Sequence, residues 1–169
     1  MMVKQLVIMR VDYCNALYIN LPKKIIRRLV SVLNSCIRYI YNVKDFKQDL
    51  VPLYKDAHIL PIQQRITFKV SLLCYKIVNG MAPKYMEGMV TRDIPRVNQF
   101  GTRNRPMHDI HRLKVLPLPK TLVGTRRFSY QAPLTWNSLP LSIRALPSLE
   151  SFKKSLKTHL FHGLDSNPL

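Results

Sequence analysis

Leu-Pro steps divide this chain. They fall at 21–22, 60–61, 116–117, 118–119, 139–140 and 146–147. Each sets an apolar anchor before a residue that fixes φ and donates no backbone hydrogen bond, so helices start or stop there. The pattern predicts helices of short and medium length separated by tight connections. The clearest covers 22–41. Pro22 suits its first turn, and Ile25, Leu29, Val32, Leu33, Cys36 and Ile40 recur at helical spacing as an inner stripe. Lys23, Arg27, Asn34 and Arg38 fall on a different face, which is either solvated or a line of phosphate contacts. Pro61 opens a second long helix over 62–79. Ile62, Ile66, Val70, Leu73 and Ile77 face inward there, and Arg65, Lys69 and Lys76 face outward. Asn79-Gly80 stops it, since Gly readily takes the left-handed conformation.

Shorter elements fill the rest. Residues 3–18 read as one helix, Asp49 as the cap of a short helix to 57, and Pro83 as the start of another to Val90. From Thr91 to Arg112 the chain turns polar and basic, which predicts an exposed, mobile loop. Arg112–Pro119 alternates and can pair with Lys120–Arg127 as a small β-hairpin. Residues 127–138 read as a helix with Pro133 in its first turn, followed by a turn of helix over Leu141–Ala145. Ser148 is the expected N-cap of a last helix, 149–161. Phe152, Leu156 and Leu160 face inward on it, and Lys153, Lys154 and Lys157 face out. The expected fold class is mainly α, an irregular helical bundle with a long basic loop and one small hairpin. The expected parts are 1–90, 91–127, 128–162 and a frayed tail, 163–169.

Composition narrows the function. Of 169 residues, 27 are Lys or Arg and 9 are Asp or Glu, a net charge of +18. Such a chain attracts polyanions, with nucleic acid first and an anionic membrane surface or an acidic protein behind it. Apolar residues make up 47%, enough for a core. Cys14, Cys36 and Cys74 are odd in number and widely spaced, which reads as reduced, buried thiols and an intracellular site. The apolar N-terminal run is too short for a membrane span and carries no cleavage site.

Two-metal chemistry needs converging carboxylates, and the nine acidic residues are scattered. His108-x-x-His111 and His159-x-x-His162 lack a Cys pair, so no metal site is expected. There is no Gly-rich phosphate loop and no nucleophile elbow. No cofactor, no small-molecule substrate and no catalytic residue is expected. What remains is cations interleaved with aromatics, as in Arg126-Arg127-Phe128-Ser-Tyr130: cations hold phosphates, and exposed rings can stack on unpaired bases.

Several segments, taken in order, resemble the C-terminal end of LINE-type (non-LTR) retrotransposon reverse transcriptases of the jockey-like group. They are Asp12-Tyr-Cys-Asn-Ala-Leu-Tyr18, His58-Ile-Leu-Pro-Ile-Gln-Gln-Arg-Ile66 and Tyr75-Lys-Ile-Val-Asn-Gly-Met-Ala-Pro83. After these come Phe128-Ser-Tyr-Gln-Ala-Pro133, Trp136-Asn-Ser-Leu-Pro140 and Ser151-Phe-Lys-Lys-Ser-Leu-Lys-Thr-His-Leu-Phe161. The match spans about residue 12 to 161. In that family this stretch lies around or beyond the thumb, downstream of the polymerase palm. The Tyr/Phe-x-Asp-Asp motif, the endonuclease domain and the Cys-Cys-His-Cys knuckle of some relatives have no counterpart here. The resemblance implies a non-catalytic piece of a polymerase that copies element RNA at a nicked target.

The expected task is therefore to hold RNA or DNA through its backbone. Arg65, Lys69 and Lys76 would do this from one helix, and Arg103, Arg105, Arg112, Arg126 and Arg127 from the loop and hairpin. Phe128, Trp136 and Phe152 are expected to be structural. An alternative is a docking module for the polymerase core, with no nucleic-acid affinity of its own. A third reading, an enzyme in its own right, fits the sparse carboxylates poorly. The expected location is intracellular, with the nucleus as the finer expectation.

Overall fold

The computed structural model describes residues 4–93 and 109–164. It is mainly helical. Seven α-helices, one π-helical and three 3-10 turns are present among the described residues, with no strand. The chain divides into two compact units, Met1–Lys69 with Lys153–Leu169, and Val70–Phe152.

The first unit begins with a π-helical turn, Lys4–Ile8, and a short helix, α1 (Met9–Asp12). The single helix expected over 3–18 does not form. It breaks at Tyr13 and at Cys14, whose φ of +52° is left-handed, and resumes as a 3-10 turn, Asn15–Tyr18. Helix α2 (Lys23–Tyr41) follows, and Asn42 ends it at φ +53° while Val43 N–H donates to Arg38 O at 2.9 Å. Its ends agree with the reading of the sequence, but its inner face does not. Ile26, Leu33 and Ile37 are buried, whereas Ile25, Val32 and Ile40 are exposed. Apolar side chains cover half of this helix, so periodicity alone does not choose the packed sector.

The polar line expected on α2 also divides. Asn34 accepts from the hydroxyl of Tyr54 at 2.6 Å. Arg38 lies over the Phe46 ring, 5.3 Å to its centre, and donates to Phe46 O. Asp49 accepts from Val51 N–H at 3.0 Å and so leads into α3 (Val51–Asp56), as expected. Tyr54, on α3, is buried, and that burial raises its phenol pKa.

Helix α4 (Ile62–Val78) contributes residues to both units. Gly80 (φ +67°) ends it, and Met81 N–H donates to Lys76 O at 2.7 Å. The second unit continues with 3-10 turns at Lys84–Met86 and Gly124–Arg126, then α5 (Phe128–Asn137) and α6 (Leu141–Arg144). Pro133 sits inside α5, not in its first turn, because the helix already starts at Phe128. The expected hairpin is absent among the described residues. Residue 113 instead bridges antiparallel to Arg92, and 124–126 curls into its 3-10 turn. That curl requires Gly124: a Cβ there would stand 2.7 Å from the Cβ of Pro119.

Helix α7 (Leu149–His162) buries Phe152, Leu156 and Leu160, the stripe read from the sequence. In the second unit Phe152 stacks against Tyr75 at 4.5 Å and Trp136 at 5.7 Å. Residue Leu164 is buried, so the fraying expected from 163 does not begin there; 165–169 lie outside the described residues.

The cysteines are free and differ in access: Cys14 is exposed, Cys36 half-buried and Cys74 buried. Burial raises the Cys36 thiol and pushes Cys74 up to about 12. Reaction with N-ethylmaleimide at neutral pH, followed by peptide mass spectrometry, should therefore label Cys14 first and Cys36 more slowly. Cys74 should react only after denaturation, since the thiolate is the reacting form. Early labelling of Cys74 would contradict this core.

Candidate nucleic-acid interface

The carboxylates are largely occupied by the fold itself. Asp12 accepts from Arg65 through both oxygens, with Arg65 Nε 2.7 Å from Asp12 Oδ1, and it also accepts from Asn15 Nδ2 at 3.2 Å. Asp56 accepts from the Tyr41 hydroxyl at 2.5 Å. Asp109 pairs with Arg144 at 2.6 Å and accepts from His111 N–H at 3.0 Å. Asp45 and Asp49 accept from backbone N–H groups nearby. With 9 carboxylates against 27 Lys and Arg, most of the cations cannot be paired one to one.

Arg65 does not face outward as expected. Its side chain keeps only 15% of its exposure, because the partner carboxylate on α1 draws it inward. A bidentate guanidinium–carboxylate pair of this kind is a structural joint. Replacing Asp12 by Ala would leave a half-buried guanidinium without its partner. A loss of about 1–3 kcal/mol in urea denaturation is expected. Arg65→Ala should lower stability similarly and leave the salt dependence of RNA binding unchanged; a shallower salt slope would return Arg65 to the interface.

Of the other expected contacts, Lys69, Lys76 and Arg126 are half-buried, and Arg126 Nε is enclosed with no hydrogen-bond partner among the described residues. Arg112 and Arg127 are exposed. Arg103 and Arg105 lie outside the described residues, as do 94–108 and hence most of the expected loop. The second unit gives Arg112 a rigid base. It flanks buried Leu113 with Lys114 on the other side, and both cations are exposed. Asp93 N–H donates to Arg112 O and Lys114 N–H to Thr91 O, each at 2.9 Å. The Asn137 amide grips Leu113 twice, accepting from its N–H at 2.9 Å and donating to its O at 2.8 Å. Trp136 Nε1 donates to His111 O at 2.7 Å. These bonds hold the 111–114 backbone in place and leave the two cations in water.

A dense cationic cluster of the first unit opens α2. Lys23, Lys24, Arg27 and Arg28 are all exposed. They form two i, i+4 pairs in the first turns of α2, and no ion pair reaches them among the described residues. Periodicity places Lys23 and Arg27 on a polar face but gives no sign of Lys24 and Arg28, whose signal is the basic doublet repeated four residues on. The first turn of α2 holds no acidic residue. Like charges at i, i+4 repel, and cations oppose the positive end of the helix dipole. The cluster is therefore self-opposed until an anion sits on it.

Phe128, expected to be structural, is half-buried, whereas Trp136 and Phe152 are buried. Among the described residues no group of three or more His, Cys, Asp or Glu side chains is placed to hold a metal ion. His108 lies outside the described residues. No helix among the described residues is long and apolar enough to cross a membrane. No family model, curated protein or solved structure matches the chain.

Proposed function

We propose that this chain is a non-catalytic C-terminal module of a non-LTR retrotransposon reverse transcriptase and that it holds RNA or DNA through phosphate contacts. The observation that carries the binding role is the exposed cluster Lys23, Lys24, Arg27 and Arg28, unfavourable by itself and relieved by a polyanion. In the second unit Arg112 and Lys114, on their clamped backbone, supply further cations. Contacts of this kind position a backbone and carry no base specificity. The parent-element assignment rests on the ordered resemblance of residues 12–161. An intracellular compartment, and the nucleus where a target DNA is nicked, follows from that role.

A second reading, docking onto the polymerase core, is favoured by exposed Leu6, Met9, Tyr13 and Leu17 near the N-terminus. Titrating labelled single-stranded RNA and duplex DNA with the chain over a salt series separates the two. Phosphate contacts give an affinity that falls steeply as salt rises. Absence of binding by folded chain at low salt would leave docking alone.

A further inference from the structure

Part of the apolar arc of α2 is exposed. Successive residues turn by about 100°, which groups Ile26, Leu33 and Ile37 in one sector, and these are buried. The adjoining sector holds Ile25, Leu29, Val32, Cys36 and Tyr39, separated by steps of 4, 3, 4 and 3. Ile25 is 46% exposed, Val32 48% and Tyr39 81%, with Leu29 and Cys36 half-buried. Alternating steps of this kind make the seam along which one helix packs on another at a shallow angle. Small side chains at Ser31 and Ser35 leave a groove of about 350 Å³ there, lined also by Val32, Cys36 and Tyr39. On its open side the next sector of the helix carries exposed Lys24 and Arg28, which no ion pair reaches among the described residues.

We infer that this seam seats an amphipathic α-helix of another polypeptide, with apolar residues at the same alternating spacing and Asp or Glu beside them to meet Lys24 and Arg28. The apolar steps give the register, and the cationic edge gives the sign of the partner. A second copy of the chain would bring the same cations against the seam, and a net charge of +18 opposes self-association. The inference does not rest on the nucleic-acid reading: Ile25 and Val32 have no part in phosphate contact.

The probe is a synthetic helix of about three heptads with Leu at the seam positions and Glu flanking them, followed by fluorescence anisotropy with the full chain. It should bind saturably. The double variant Ile25→Gln with Val32→Gln should weaken it about tenfold or more, while RNA affinity stays unchanged. Gln is a good helix former and both positions are exposed, so the variant keeps its helical spectrum. Two control peptides, one with Lys for the flanking Glu and one with Ser for the seam Leu, should each bind about tenfold or more weaker. On the unaltered chain the Glu peptide should slow alkylation of Cys36 and leave Cys14 unaffected. Equal binding of the Ser control would reduce the attraction to charge and overturn the inference. So would equal binding to the Gln variant, or unchanged Cys36 labelling. Dimerisation in sedimentation, or binding to anionic lipid vesicles, that is lost in the Gln variant while the peptide fails to bind would assign the seam to those occupants instead.

Discussion

Trp136→Ala should cost about 3–5 kcal/mol of stability, the range for truncating a large buried aromatic. The indole is 1% exposed and stacks on Phe152, which stacks in turn on Tyr75. Removing it opens a cavity beside Phe152 and strands the His111 carbonyl that its Nε1 reaches at 2.7 Å. Trp136→Phe separates these effects. It keeps most of the ring contact and loses the hydrogen bond, so a smaller cost of about 1–3 kcal/mol is expected. In both variants amide exchange at His111–Lys114 should quicken relative to α2, because the anchor of that segment is gone while the first unit is untouched. Phe128→Ala should cost less than Trp136→Ala, since Phe128 is half-buried. Urea denaturation checks the ranking. A stability within about 1 kcal/mol of the unaltered chain for Trp136→Ala would remove the ring stack from the core of this unit.

What the sequence discloses and what it hides both follow from the range of the forces involved. Helix limits are local. Pro22, Asn42, Pro61 and Gly80 bound α2 and α4 as proline chemistry and left-handed residues require. Phe152, Leu156 and Leu160 were legible as a core stripe because α7 has a single narrow apolar face. On α2 the apolar arc is wider than any one packing surface, so the buried sector could not be chosen from spacing. Arg65 looked outward for a related reason: its partner, Asp12, lies 53 residues away, and helical periodicity contains no trace of it. The extended character of 112–114 was readable, but its pairing partner was not. Residues 91–93 supply the hydrogen bonds expected of 120–127. Asn137 and Trp136 bind backbone atoms of Leu113 and His111, and a backbone acceptor has no sequence signature. Segments far apart in the chain thus meet as joints. Asp12 meets Arg65, and Tyr75 donates to Leu146 O at 3.1 Å and stacks on Phe152. Hydrogen bonding and ring packing account for Asp12, Arg65, Tyr75 and Phe152 at these positions.

The cationic face makes the other large prediction. Changing Lys23, Lys24, Arg27 and Arg28 together to Gln should lower affinity for single-stranded RNA about a hundredfold at low salt. It should also flatten the plot of log affinity against log salt. Each lost phosphate contact removes about 0.7 from the slope on a single strand and about 0.9 on duplex DNA, so four contacts remove roughly 3. The same variant should become more stable, by about 1 kcal/mol, because two repelling i, i+4 pairs and their conflict with the helix dipole disappear. A damaged fold would lose affinity and stability together; a removed binding face loses affinity while stability rises. Changing Arg112 and Lys114 to Gln should give a smaller reduction of slope, near 1.5, with the backbone clamp of Asn137 intact. If the four-residue variant keeps the full salt slope, the anion site is not on α2, and the exposed cations there serve the apolar seam beside them.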